Sequence, residues 1–391
     1  MHEAADGGLA RVRVPGGRLT ARQVRELGRA AELGDGGWEL TSRANLQVRG
    51  LPVGSECGGA GEFAALVAAA GLLPSPTHER VRNVIASPRA DELGSLDVHA
   101  VSAELDELLC AAPALAELPG RFLFTVDDGR GDVTGLRGDV GLLPVGERVA
   151  VLLSGADLGI RVPAAESART AVLAAEAFLA ERAAQGAESW RLAELDDGAE
   201  RVAERVRTAL GIELVEPVEV PREVVPTHAQ LGLLHGGTTL AVGAPLGRVN
   251  AAQIAALAAA AETSGELRLT PWRTLLLPGI PRHDAENLLS EMDSTGLLVD
   301  PAAPLAGVTA CTGRPGCAKA LADVRADAAR STRPGSLPVH WAGCSRRCGR
   351  PAGRGVEVLA TEAGYEVGPG PAEARSADEL PAAVEAARRA V

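Results

Sequence analysis

Internal repetition narrows the possible folds more than any other feature of this chain. The segment PGGRLTARQV, from Pro15, recurs as PLGRVNAAQI, from Pro245, pairing Gly17 with Gly247, Arg18 with Arg248, Ala21 with Ala251 and Gln23 with Gln253. Further on, WELTSRANLQVRGL (from Trp38) lines up with LRLTPWRTLLLPGI (from Leu267), setting Thr41 against Thr270 and Gly50 against Gly279. A third block pairs Gly71, Leu72 and Leu73 with Gly296, Leu297 and Leu298; behind it Val84, Ala86 and Ser87 fall opposite Val308, Ala310 and Cys311. Compositional bias does not keep three blocks in order, so the chain is a duplicated unit.

Each copy reads alike. A polar residue (Thr20, Asn250) caps an Ala/Leu-rich helix, a glycine ends it, and a strand follows. A second helix comes next, over Gly61–Ala70 in one copy and His283–Ser294 in the other, and then a loop. The expected class is α+β, doubled, with pseudo-twofold symmetry and a cleft between the copies. Between them lies what reads as an insertion, with strand-like Arg121–Val126 and Val149–Leu153 and helices over Ala164–Gln185 and Ala199–Leu210. Pro-rich Val215–Pro226 reads as the linker into the second copy. Near the C-terminus, GVEVLATEAGYEV reads as a hairpin and ADELPAAVEAARRAV as a closing helix.

Four cysteines carry the chemistry. Cys311 and Cys317 are separated by five residues, Cys344 and Cys348 by three, and the pairs by twenty-six. Two short loops, each with two thiolates, supply the four ligands of a [4Fe-4S] cluster. Structural zinc pairs usually sit two to four residues apart, which the first gap exceeds. Disulfides suit a secreted chain better. Cys57 and Cys110 have no partner pattern and read as incidental.

The formal charge of −12 argues against a nucleic-acid partner. An anionic substrate must therefore meet a local basic pocket. Lys319 is the sole lysine among 39 basic residues, so arginine at any one position carries less meaning than usual. The N-terminal MHEAADGGLARVRVPGG has no charged head followed by an apolar run, and no apolar stretch is long enough to span a bilayer. The expectation is a cytoplasmic protein without membrane contact.

With TSRANLQVRG in the first copy, RNVIASP after it and C-x5-C…C-x3-C in the second, the chain resembles the sulfite and nitrite reductase superfamily. FTVDDGRGD (Phe124–Asp132) and ELRLTPWRTLLLPG (Glu266–Gly279) resemble its precorrin-3B synthase branch in particular. The resemblance implies ferredoxin-like half-domains at 1–74 and 226–300, and reductase-like domains at 75–225 and 301–391, the last carrying the cysteines. It implies a cluster on Cys311, Cys317, Cys344 and Cys348 beside a tetrapyrrole pocket, with a mononuclear non-haem iron that activates dioxygen. The implied reaction is hydroxylation of precorrin-3A at C-20 with closure of a γ-lactone, on electrons from a reduced nicotinamide donor acting directly or through a reductase. In the reductases the counterpart of Cys348 also bridges to the sirohaem iron.

A tetrapyrrole ringed with carboxylates calls for planar forks, which arginine supplies. Arg43, Arg49, Arg82, Arg121 and Arg273 are the candidates, with Asn45 and Gln47 expected on one strand face with Arg43 and Arg49. The bland alternative is that these are solvated surface charges. No compact two-histidine, one-carboxylate pattern is present for a mononuclear iron, and His78, His235 and His340 read more readily as ordinary hydrogen-bonding histidines. Sulfite reductases carry an LPRKFK-like segment whose two lysines help hold the small anion; here it is LPGRFLF, with Arg121 at one lysine position and Leu123 at the other. Each lost charge-assisted bond costs roughly 1.5–3 kcal/mol. Two other functions remain open from the residues: a sirohaem-dependent sulfite or nitrite reductase, and a non-catalytic iron-sulfur carrier or sensor.

Overall fold

The computed structural model describes every residue except 1, 54–58, 90–94, 221–229, 352, 369–375, 377, 390 and 391; Cys57 and the end of the Pro-rich linker lie outside the described residues. The first copy runs β1 (His2–Ala4), β2 (Gly7–Val12), β3 (Arg18–Thr20), α1 (Ala21–Glu32), β4 (Trp38–Leu40), β5 (Leu46–Leu51) and α2 (Gly59–Ala69). It continues through β6 (Val84–Ala86), α3 (Val98–Ala111), β7 (Phe124–Val126), β8 (Val140–Val145), β9 (Arg148–Leu153), β10 (Ala156–Val162), α4 (Ser167–Ala184) and α5 (Gly198–Leu210). The second copy repeats this order as β11 (Gly232–Leu234), β12 (Thr239–Gly243), β13 (Arg248–Val249), α6 (Ala251–Ser264), β14 (Glu266–Leu269), β15 (Thr274–Pro278) and α7 (Ala285–Ser294). It ends with β16 (Val308–Ala310), α8 (Val324–Ser331), β17 (Val339–Ala342), β18 (Val356–Thr361), β19 (Gly364–Val367) and α9 (Leu380–Arg389).

The chain divides into two compact units, one of Met1–Val12, Leu19–Leu72 and Pro226–Val391, the other of Arg13–Arg18 and Leu73–Val225. In the first unit the half-domain sheets are ordered β1-β2-β5-β4-β13 and β11-β12-β15-β14-β3. Each copy thus lends its third strand to the other's sheet, with Arg248 opposite Glu39 and Val249 opposite Trp38. The helices that follow the exchanged strands, α1 and α6, pack together. Gly28 allows the approach, since a Cβ there would come within 3.1 Å of Ile254 Cγ2. Arg25 and Glu262 pair across the same contact.

The repeat holds at the level of single hydrogen bonds. Thr20 and Asn250 both cap their helices through capping boxes closed by Gln23 and Gln253. Each glutamine also donates from Nε2 to a carbonyl at the end of the next helix, Ala70 at 3.1 Å and Thr295 at 3.2 Å. Gly50 and Gly279 both sit at φ 70°, a left-handed turn that glycine enters without steric cost.

The second unit is a sheet ordered β10-β9-β8-β7-β6 against α3, α4 and α5. Its first three strands run parallel, and β9 returns antiparallel. The first unit carries the same pattern in β16-β17-β18-β19. The stretch that reads as an insertion is therefore the counterpart of the cysteine-bearing sheet, disguised by its longer helices and an extra strand. With aromatics at 2% of the chain, three of its four phenylalanines are spent in this core: Phe122 lies 5.2 Å from Phe124 and 4.9 Å from Phe178, centroid to centroid. In the first unit α9 is anchored by Arg388, which is 1% exposed and donates to the carbonyls of Pro304, Ala306, Arg333, Gly335 and Leu337. Burial without a carboxylate pushes its guanidinium down to about 10.

If the two caps are equivalent, Thr20→Ala and Asn250→Ala should each cost about 1 kcal/mol, and the double variant about twice that. Urea unfolding of the two single variants and the double variant checks the additivity.

Candidate functional site: the cysteine loops and their supports

Adjacent parallel strands end together, and the loops that leave them carry all four thiols. Cys311 follows β16 and Cys344 follows β17, with Ala310 opposite Trp341 in register. Four backbone bonds shape the two loops. Cys311 N donates to Trp341 O at 2.9 Å and Cys317 N to Gly313 O at 2.9 Å. Leu321 N donates to Gly343 O at 2.8 Å, tying one loop to the other, and Arg347 N donates to Cys344 O at 3.1 Å. The Cys311 sulfur accepts the Gly343 N–H at 3.1 Å.

Burial raises the Cys311 thiol above its ordinary range, and the neighbouring Cys348 and Cys317 sulfurs add to this, while the Gly343 and Gly313 N–H groups oppose it. Cys311, Cys317 and Cys344 are partly buried, Cys348 exposed. Four zinc-bound thiolates at about 2.3 Å from the metal would sit roughly 3.8 Å from one another. Among the described residues, the set of three possible ligand atoms within 4.8 Å of one another is Asp127, Asp128 and Asp132, not any three of these sulfurs. The sulfurs do not form such a compact set of three.

The first half-domain braces the cysteine loop. Arg49, on β5, forks onto Asp6 through Nε and Nη2, both at 2.8 Å, and Nη2 also donates to Gly316 O at 3.0 Å. Gln47 donates to Glu39 Oε2 at 2.5 Å. The other oxygen of Glu39 takes Arg325 Nη2, and Arg325 Nε donates to Cys311 O at 3.2 Å. Gln47 and Arg49 thus share a face, as alternation along a strand requires, and that face is engaged with the cysteine loop. Arg82 is 2% exposed and forks onto Asp106 at 2.6 and 2.7 Å. Arg121 is exposed, and Leu123 is buried at 5%.

Arg43 and Asn45 lie before the strand rather than on it, because β5 begins at Leu46. They belong to a turn around Thr41, whose Oγ1 accepts from Arg43 N at 3.3 Å and Asn45 N at 3.1 Å. The second copy builds the same turn on Thr270, with Trp272 N and Thr274 N both at 3.2 Å. The fourth residue of each turn is left-handed: Ala44 at φ 52° and Arg273 at φ 61°. Arg273 is buried, which lowers its guanidinium to about 10, and Nη2 donates to Gly349 O, one residue beyond Cys348. His340 on β17 is also buried; burial and then Arg273 push it down to about 3, so the ring is neutral. The Cys348 backbone favours the charged ring but makes no well-formed hydrogen bond to Nε2. His78 is saturated, bonded to Ser75 and Thr77 at Nδ1 and to Ala112 O at Nε2.

The pseudo-symmetric loops of the second unit share this backbone plan, although the repeat alone gave their side chains no role. Ser87 N donates to Val126 O at 2.9 Å, and Ser87 Oγ accepts Asp128 N at 3.1 Å, as Cys311 does with Trp341 and Gly343. The Asp-Asp-Gly run of FTVDDGRGD was the available signal. Asp127 organises that loop by accepting five hydrogen bonds, from the amides of Gly129, Gly131, Val133 and Thr134 and from Thr134 Oγ1. Asp132 accepts from Ser87 Oγ at 2.5 Å. Burial raises its carboxyl to about 6.

The nitrite/sulfite reductase ferredoxin-like half-domain model matches residues 2–55 and 234–295. A precorrin-3B synthase from Sinorhizobium sp is 29% identical over 93% of this chain and 79% of its own length. A ferredoxin–nitrite reductase from Synechococcus elongatus is 28% identical over 88% of this chain and 74% of its own. In fold, the solved structure of the Mycobacterium tuberculosis NirA protein superposes with a TM-score of 0.75 at 21% identity, over 96% of this chain and 79% of that one. The chain carries two stretches matching the half-domain of the nitrite and sulfite reductases and is similar, over most of its length, to oxidoreductases of that superfamily. Within it, the chain resembles precorrin-3B synthase over most of its length. No helix among the described residues is long and apolar enough to cross a membrane.

Arg49→Ala should destabilise the protein by roughly 2–3 kcal/mol, below the usual loss for a broken buried pair because Asp6 keeps some solvent; urea unfolding measures it. Asp132, with its carboxyl raised above the unfolded value, stabilises the fold below about pH 4 and ceases to as pH rises through 6. Asp132→Asn should therefore flatten that part of the stability profile, gaining on the wild type by roughly 2–3 kcal/mol above pH 6. Unfolding curves from pH 4 to pH 7 give the comparison.

Proposed function

We propose that this protein is a monooxygenase of the precorrin-3B synthase type. It would hydroxylate precorrin-3A at C-20, with a ring-A acetate closing a γ-lactone. One atom of dioxygen enters the product and the other leaves as water, on two electrons from a reduced nicotinamide donor acting directly or through a reductase. Cys311, Cys317, Cys344 and Cys348 would hold a [4Fe-4S] cluster, since two braced loops bring four thiols to the ends of adjacent strands. When bound, the cluster would relay electrons and a mononuclear non-haem iron would activate the oxygen.

The remaining work falls to the chain's own side chains. Arg43, Asn45 and the free Nη1 of Arg273, all in the first unit, would meet the substrate's acetates and propionates, where planar donors hold carboxylates in a fixed orientation. Gln47, Arg49 and Arg82 would act indirectly, their donors being committed to Glu39, Asp6 and Asp106. The observation that carries this reading over reduction is Leu123: it is apolar and buried where the reductases place an anion-holding lysine. Nitrite reduction on sirohaem is the second reading, favoured by the identity to the Synechococcus enzyme.

The anaerobically purified protein should hold five irons per chain and convert precorrin-3A only when oxygen is admitted, with label from ¹⁸O₂ in the product. A sirohaem spectrum with nitrite or sulfite consumed from a viologen donor would replace the oxygenase with the reductase. Four irons and no precorrin binding would leave an electron carrier.

A further inference from the structure

Among the described residues, two buried polar atoms near Cys348 have no well-formed hydrogen bond. Arg273 is 7% exposed and His340 3%, and neither Arg273 Nη1 nor His340 Nε2 is satisfied. A Cβ on Gly349 would lie 3.3 Å from Arg273 Nη2 and 3.9 Å from His340 Cε1, so both side chains flank the residue after Cys348. The Arg273 backbone is held at φ 61°, where a non-glycine residue is strained. Among the described residues its guanidinium makes no ion pair, and Glu39, the carboxylate that acts on it at a distance, is occupied by Arg325 and Gln47. A buried, unpaired cation on a strained residue is costly unless a negative body comes to rest beside it. Four thiolates around an iron-sulfur core are such a body.

We propose that Arg273 is the residue that sets the reduction potential of the cluster, its fixed positive charge stabilising the reduced form from the Cys348 side. This rests on the reading that the four cysteines hold a [4Fe-4S] cluster. Reduction adds one electron and therefore one negative charge, which a nearby cation favours; hydrogen bonds and charges beyond the ligands are established levers on cluster potentials. Arg273 acts here as a positioning residue through Nη2 on Gly349, and Nη1 stays available to a substrate carboxylate, so the two roles are compatible.

The test is a redox titration of the substrate-free holoprotein, following the reduced cluster by electron paramagnetic resonance. Arg273→Gln should lower the reduced-to-oxidised ratio at the wild-type midpoint by at least about tenfold, equivalent to 59 mV for one electron. Arg273→Lys, which keeps the charge, should stay within about threefold. Arg273→Gly removes the charge while relieving the left-handed backbone, so it should shift as Gln does even if the Gln variant folds poorly. Unchanged midpoints in neutral variants that hold a full cluster would overturn the proposal. So would loss of the cluster from both neutral variants but not from Arg273→Lys, which would assign the residue to cluster assembly. A wild-type protein that binds no cluster would instead overturn the reading beneath it.

Discussion

Exchange of the third strand between the two copies is the constraint on which the larger unit depends. An edge strand exposes unpaired N–H and C=O groups that must be covered. Here β13 covers β4 and β3 covers β14, so neither half-domain sheet is complete without the other copy. The exchange also sets α1 against α6, with Gly28 letting them close. Once the sheets are locked, β5 is fixed in place, and with it the guanidinium of Arg49 that holds the Gly316 carbonyl. The cysteine loop is therefore shaped from a distance of more than two hundred residues along the chain.

Electrostatics around the site separate into two kinds of arginine. Arg49 and Arg325 have carboxylate partners and serve as struts, their charge cancelled by Asp6 and Glu39. Arg273 has only a carbonyl, so its charge remains. Arg388 also lives on carbonyls, but five of them share one guanidinium, which makes it a mechanical knot rather than a source of field. In a chain with a single lysine, these three uses of one residue type cannot be told apart by identity. Their partners distinguish them.

That explains how much of the molecule was legible in the sequence. The duplication, the caps at Thr20 and Asn250 and the α+β class could be read because they depend on local patterns that repeat. The pairing of cysteine loops could be read because spacing alone restricts what two short loops can do. Strand exchange could not: β13 is two residues long and β3 three, and nothing local says which sheet either joins. The kinship of the two later sheets shows in the sequence only where Val84, Ala86 and Ser87 fall opposite Val308, Ala310 and Cys311, because the long α4 and α5 obscure the rest. Among the seven candidate substrate residues, alternation correctly set Gln47 and Arg49 on one face, but a pattern of faces cannot say that Asp6 and Glu39 wait there. Alternation runs on into Arg43 and Asn45 because their turn, organised by Thr41 Oγ1, has no glycine to announce it.

Ser87 Oγ and Cys311 Sγ each receive a backbone N–H at 3.1 Å from the same place in their respective loops. The main chain there accommodates oxygen or sulfur without rearrangement. One copy presents thiols in that turn and its twin presents carboxylates, so the two halves differ in chemistry by side chains set on the same mould.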